Sequence, residues 1–283
     1  MLTTIVSTGE LAEHLVDWAV IDCRFDLKNE NVGFEAYVAS HIPGAAYASL
    51  NADLSSLPTG TNGRHPLPSL EEMTETFATL GVGPGVQVVA YDDDSGIYAS
   101  RLWWMLRYLG HDAVAVLDGG FGKWCREQRP VQGGNELRPR GAFVPHVHKN
   151  RLVTIEEMTA GLAQSALLVD ARAPERFEGQ SESVDRVAGH IPGAINHFYK
   201  GNVTEDGTLR PQVELRQTFE TMLAGQPPEK AVMYCGSGVT ACQNLLAMEH
   251  AGLTGTRLFV GSWSEWSADP SRPIETGPAR PRT

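Results

Sequence analysis

An internal repeat constrains this chain more than any other feature. Ala19-Val20-Ile21-Asp22-Cys23-Arg24 returns as Leu167-Leu168-Val169-Asp170-Ala171-Arg172. Ser40-His41-Ile42-Pro43-Gly44-Ala45 returns as Gly189-His190-Ile191-Pro192-Gly193-Ala194. Leu117-Asp118-Gly119-Gly120 with Trp124 answers Phe259-Val260-Gly261-Ser262 with Trp266. The order is kept while the offset drifts from 148 and 149 to 142, as expected of two copies of one domain that differ by loop insertions. A chain of 283 residues is long enough for two domains, each with its own core. The expected boundaries are 1–128 and 151–283. The joining segment 129–150 holds Pro130, Gly133, Gly134, Pro139, Gly141 and Pro145 and has the composition of a linker.

Each copy opens on the spacing of a helix start, Ser7 with Glu10 and Thr154 with Glu157. A short apolar run follows in each, Ala19 to Asp22 and Leu167 to Asp170. A second run, Val86 to Tyr91 and Ala231 to Tyr234, precedes a loop and a helical stretch. Strands without alternation, separated by helical stretches, predict an α/β fold with a mainly parallel sheet flanked by helices in each copy. The tail from Asp269 is proline-rich and is expected to be extended.

The net charge of −11 argues against binding nucleic acid or an anionic membrane by bulk attraction. No apolar run is long enough to span a bilayer, and Met1 to Glu10 shows no secretory pattern. The four cysteines, Cys23, Cys125, Cys235 and Cys242, form no CxxC pair and no zinc-like spacing with histidine. They are too few for a disulfide scaffold, so a reducing cytoplasmic compartment is expected, with no structural metal.

Cys235-Gly236-Ser237-Gly238-Val239-Thr240-Ala241 lies between the run ending at Tyr234 and a helical stretch from Ala241 to Glu249. Such a turn at the carboxyl edge of a parallel sheet is where these folds hold ligands. Glycines let successive amides point inward, and the helix amino terminus adds partial positive charge. Both favour a thiolate, whereas a free thiol with a pKa of about 8.5 is only a few per cent ionised at neutrality. The first copy has Asp92-Asp93-Asp94-Ser95-Gly96 in this place, with Asp92 or Asp93 opposite Cys235. A carboxylate cannot act as a sulfur nucleophile, so the second copy is the active one. A tyrosine-phosphatase loop would need arginine six residues after its cysteine, and Ala241 stands there instead.

The CGSGVTA loop, the paired HIPGA turns and the doublet together resemble the tandem-domain rhodanese family, in its mercaptopyruvate-using branch, over nearly the whole chain. The resemblance implies two rhodanese-like domains and a persulfide carried on Cys235. Thiosulfate-using members have Arg-Lys after the cysteine, and the neutral pair Gly236-Ser237 implies mercaptopyruvate as donor. The resemblance also implies a relay of Ser237, His65 and an acid. Gap-free counting puts that acid on Asn51, with Asp53 two residues on as the alternative we favour. It further implies two arginines for the donor carboxylate: Arg176, and Arg186 one position beyond the usual spacing. Gly236, Gly238, Val239 and Thr240 are expected around the transferred sulfur. His41 and His190 occur in both copies and are expected to be structural, as is an ion pair of Arg24 or Arg172. Trp263 and Trp266 are expected in the core.

The expected reaction is a two-step covalent transfer. A small-molecule donor leaves its sulfur on Cys235 and departs as pyruvate. A thiol, such as a thioredoxin-like protein, or cyanide then takes the sulfur, with no metal or organic cofactor. Two alternatives are a thiosulfate sulfurtransferase and a persulfide carrier for a protein partner.

Overall fold

The computed structural model describes residues 1–279. The chain divides into two compact units. One holds Met1–Ser56, Pro68–His148 and Val203–Leu209; the other holds Leu57–Leu67, Lys149–Asn202 and Arg210–Thr283. Each is an α/β unit on one sheet, in line with the sequence.

The first sheet contains β1 (Ile5–Val6), β2 (Ala19–Asp22), β3 (Ala46–Tyr47), β4 (Val88–Tyr91) and β5 (Val114–Leu117), in the spatial order β1-β5-β4-β2-β3. The second contains β6 (Leu152–Val153), β7 (Leu167–Asp170), β8 (Ile195–Asn196), β9 (Ala231–Tyr234) and β10 (Arg257–Phe259), in the order β6-β10-β9-β7-β8. All pairings between these strands are parallel. Every residue of β2, β4, β7 and β9 is buried, because helices cover both faces of a parallel sheet.

The repeat is exact in register. Asp22 pairs with Tyr91 in one sheet and Asp170 with Tyr234 in the other. Both aspartates are fully buried and held by an arginine two residues on, Arg24 Nη2 and Arg172 Nη2, each at 2.6 Å. Such a pair offsets the cost of burying each charge. His41 and His190 are buried with Nδ1 2.7 Å from the carbonyls of Tyr37 and Phe177. Trp263 and Trp266 lie in the second core with Phe177, Val232 and Phe259.

Thr154 and Glu157 form a complete capping box, whereas at Ser7 the side chain accepts from the Glu10 amide. The segment after Pro130 hydrogen-bonds along the first unit: Gln132 bridges His41, and Gly141 donates to Ala78. The tail after Asp269 does the same in the second, where Glu275 bridges His190. Among the described residues no helix is long and apolar enough to cross a membrane, and no group of three His, Cys, Asp or Glu could hold a metal ion.

Candidate active site

β9 delivers Cys235 to the carboxyl edge of the second sheet, and the helix Thr240–His250 begins five residues later. The turn between them is pinned by the short helix Ser262–Trp266, which follows the neighbouring strand β10. Cys235 N–H donates to Ser262 Oγ at 3.1 Å, and the Cys235 and Gly236 carbonyls accept from Trp263 and Ser264. Gly238 is required here: its φ is +75°, and a Cβ would lie 2.2 Å from the Val260 carbonyl oxygen.

The Cys235 sulfur is 2% exposed by residue and faces the inside of this curl. Gly238 N–H donates to Sγ at 3.2 Å. Burial alone would push the thiol up. The Thr240 hydroxyl, and then the Ala241 and Ser237 amides, more than offset it and hold the thiol below its usual range. Fixed dipoles around the sulfur thereby favour its thiolate form.

Ser237 is buried, with Oγ 2.7 Å from His65 Nδ1. His65 lies 172 residues earlier, yet the segment Leu57–Leu67 belongs to the second unit, which brings it to the loop. The same segment brings Arg64, a residue that sequence reasoning missed. A Cβ on Gly236 would lie 2.7 Å from Arg64 Nη2 and 3.6 Å from Arg176 Nη2. Two guanidinium groups therefore converge beside the cysteine. The loop carries no cation of its own in sequence, yet guanidinium groups reach Gly236 from two distant segments. An arginine immediately before His65 was the available signal, and nothing local distinguished it from a surface residue.

Arg176 is held by Glu182, with Nε 3.1 Å from both carboxylate oxygens, and by Asp185, with Nη2 2.8 Å from Oδ2. Arg64 Nη1 pairs with the other oxygen of Asp185. Arg186 lies exposed, one residue beyond Asp185. Asp53 belongs to the first unit, where its carboxylate accepts from the Ser49 amide at 2.7 Å and burial pushes it up. Asn51 is exposed and donates to Glu30 at 2.9 Å. An open cavity of about 850 Å³ in the first unit is lined by Asp53, Glu71, Glu72 and Glu75, with no cation on its walls to receive an anionic donor.

The first unit has the same turn with different chemistry. Phe121 N–H donates to the Asp92 carbonyl as Trp263 does to Cys235, and both residues follow the sheet tyrosine directly, so Asp92 is the counterpart of Cys235. Its carboxylate accepts from the amides of Asp94, Gly96, Tyr98 and Ala99 at 2.8–2.9 Å.

The profile of the rhodanese-like domain matches residues 7–127 and again 154–269. A Pseudomonas aeruginosa protein named as a probable 3-mercaptopyruvate sulfurtransferase is 44% identical over 279 residues, covering 96% of this chain and 98% of its own. A Mycobacterium tuberculosis protein named "Putative thiosulfate sulfurtransferase SseB" is 38% identical over 265 residues, covering 92% of each chain. Among solved structures, the 3-mercaptopyruvate sulfurtransferase SseA of Escherichia coli superposes with a TM-score of 0.79 at 31% identity, covering 93% of this chain and 99% of its own. Two matched domains, these relatives and the doubled fold lead to one assignment. The chain belongs to the rhodanese family and is a sulfurtransferase built from two rhodanese-like domains.

Proposed function

We propose that the second unit moves a sulfur atom from 3-mercaptopyruvate through a persulfide on Cys235 to a thiol or cyanide. The observation that carries this reading is the convergence of Arg64 and Arg176 beside Cys235 at Gly236. A guanidinium pair is suited to a planar carboxylate, and the donor's sulfur is two carbons from that group. The names of relatives in Pseudomonas and Escherichia support the same donor.

In the first step the Cys235 thiolate attacks the donor sulfur, an S–S bond forms and the C–S bond breaks. The leaving group is the enolate of pyruvate. The proton that the donor thiol gives up ends on its carbon, leaving Cys235 as a charged persulfide. The Ser237–His65 pair, joined at 2.7 Å, holds that proton in passage. Amides that stabilise the thiolate then serve the outer sulfur in the same way. In the second step the acceptor, cyanide or the thiol of a thioredoxin-like protein, takes that sulfur and restores the thiolate. Free cysteines throughout suit a cytoplasmic setting.

Under this reading Asp53 acts in the first unit on its own loop, and the role expected of Arg186 passes to Arg64. Thiosulfate is the second reading: two cations beside the nucleophile also suit a dianion, and SseB carries that activity in its name. A donor panel decides between them. Mercaptopyruvate should give pyruvate in amounts matching the sulfur transferred and a higher kcat/KM than thiosulfate. The reverse order of efficiencies would establish the second reading.

A further inference from the structure

The two guanidinium groups beside Cys235 already share a carboxylate. Asp185 is 3% exposed by side chain; one oxygen takes Arg64 and the other takes Arg176 at 2.8 Å. Its Oδ2 would lie 3.4 Å from a Cβ on Gly236, so this negative charge stands over the residue next to the nucleophile. Arg64 Nη2 and Arg176 Nη1 make no hydrogen bond among the described residues and remain for an incoming anion.

The network around the loop is balanced. Arg64, Arg172 and Arg176 face Asp170, Glu182 and Asp185, three charges of each sign. Without Asp185 the network would carry one net positive charge beside the thiolate. Electrostatic energy is linear in the donor's charge, so a nearby unit charge changes the affinity of a dianion by the square of its effect on a monoanion. A buried carboxylate at this point thus disfavours a doubly charged donor far more than a singly charged one.

We propose that Asp185 is a specificity-determining residue that sets the charge of the donor, admitting a monocarboxylate and disfavouring a compact dianion. This rests on the reading of Arg64 and Arg176 as the groups that hold the donor anion. Asp185 does not touch the reacting sulfur; it acts by neutralising the pair that does the holding.

The test compares wild type with Asp185→Asn, Asp185→Ser and Asp185→Glu in the full chain. Removing the charge should raise kcat/KM for mercaptopyruvate by about threefold and for thiosulfate by about tenfold, mainly through KM, with both gains shrinking at high salt. Asp185→Glu, which keeps the charge, should stay near wild type. A second arm needs no donor. The rate of Cys235 alkylation by iodoacetate relative to neutral iodoacetamide, followed on the Cys235 peptide, should rise about threefold in the Asn and Ser variants. An unchanged reagent ratio, or an equal fall with both donors, would show that Asp185 only positions the arginines and would overturn the proposal. A wild-type protein that releases no pyruvate overturns the donor reading instead, and the alkylation arm still decides the role of Asp185.

Discussion

Asp92 and Cys235 occupy the same position in the two copies of the fold, and each turns an acidic side chain into a cradle of main-chain amides. The turn after the fourth strand is therefore an anion site before it is a catalytic one. In the first unit it is filled permanently by a side chain. Burial pushes the Asp92 carboxyl up to about 6, against the pull of the amides of Ala99, Asp94 and Gly96, so it is mostly ionised at neutral pH.

Asp92→Asn should destabilise the first unit. An amide nitrogen would face two of the four N–H donors now bonded to the carboxylate. Each buried donor left without an acceptor costs about 1–3 kcal/mol. Chemical denaturation should show a lower midpoint with an unchanged slope, and sulfur transfer by the folded fraction should be unaltered. An unshifted midpoint would mean that the cradle relaxes freely around its occupant.

The Cys235 thiol is held below its usual range, which fixes the sign of a pH effect. Stabilisation of the folded state by the cradle is present above the ordinary thiol range and is lost as pH falls through the lowered value. Between those two values Cys235 should keep reacting with iodoacetamide after Cys125 has slowed, since burial raises Cys125. Thr240→Val removes the largest opposing hydrogen bond and should slow alkylation of Cys235 near neutrality by about tenfold. Peptide-resolved alkylation rates across pH check both statements; parallel profiles for the two cysteines would contradict them.

Ser237 and His65 are expected to act as one unit, being joined at 2.7 Å. Ser237→Ala and His65→Ala should each lower kcat, and the double variant should be little worse than the more damaging single one. Fully additive losses would assign the two residues independent roles.

Much of this architecture was legible from the chain alone. The repeated strand and turn segments carry the doublet because each places a buried aspartate, its arginine and a histidine in the same relation. Cys235 stood out because glycines and a helix start signal a local anion site, and local signals survive translation into structure. Arg64 and Asp185 did not stand out. They are 121 residues apart, and their pairing depends on the segment Leu57–Leu67 joining the second unit, which no composition or spacing encodes. Position counting placed an acid at Asn51 or Asp53 and a cation at Arg186. The charges seen to gather at the loop are those of Arg176, which the resemblance named, and of Arg64, Glu182 and Asp185, which it did not.

Arg64→Ala and Arg176→Ala should each raise KM for mercaptopyruvate with a smaller change in kcat. A charge-assisted hydrogen bond to a carboxylate contributes about 1.5–3 kcal/mol, or roughly tenfold to a hundredfold in kcat/KM. Arg186→Ala should change neither constant appreciably, because Arg186 is exposed. Steady-state kinetics with pyruvate detection separates the three; a dominant effect at Arg186 would return the second cation to that residue.

The most direct test is to treat the reduced protein with one equivalent of mercaptopyruvate, quantify pyruvate, and locate the added sulfur by peptide mass spectrometry. One sulfur on the Cys235 peptide, matched by one pyruvate and absent in Cys235→Ser, is the predicted result. Sulfur on Cys23, Cys125 or Cys242 instead, or a labelled Cys235 without pyruvate, would contradict the account.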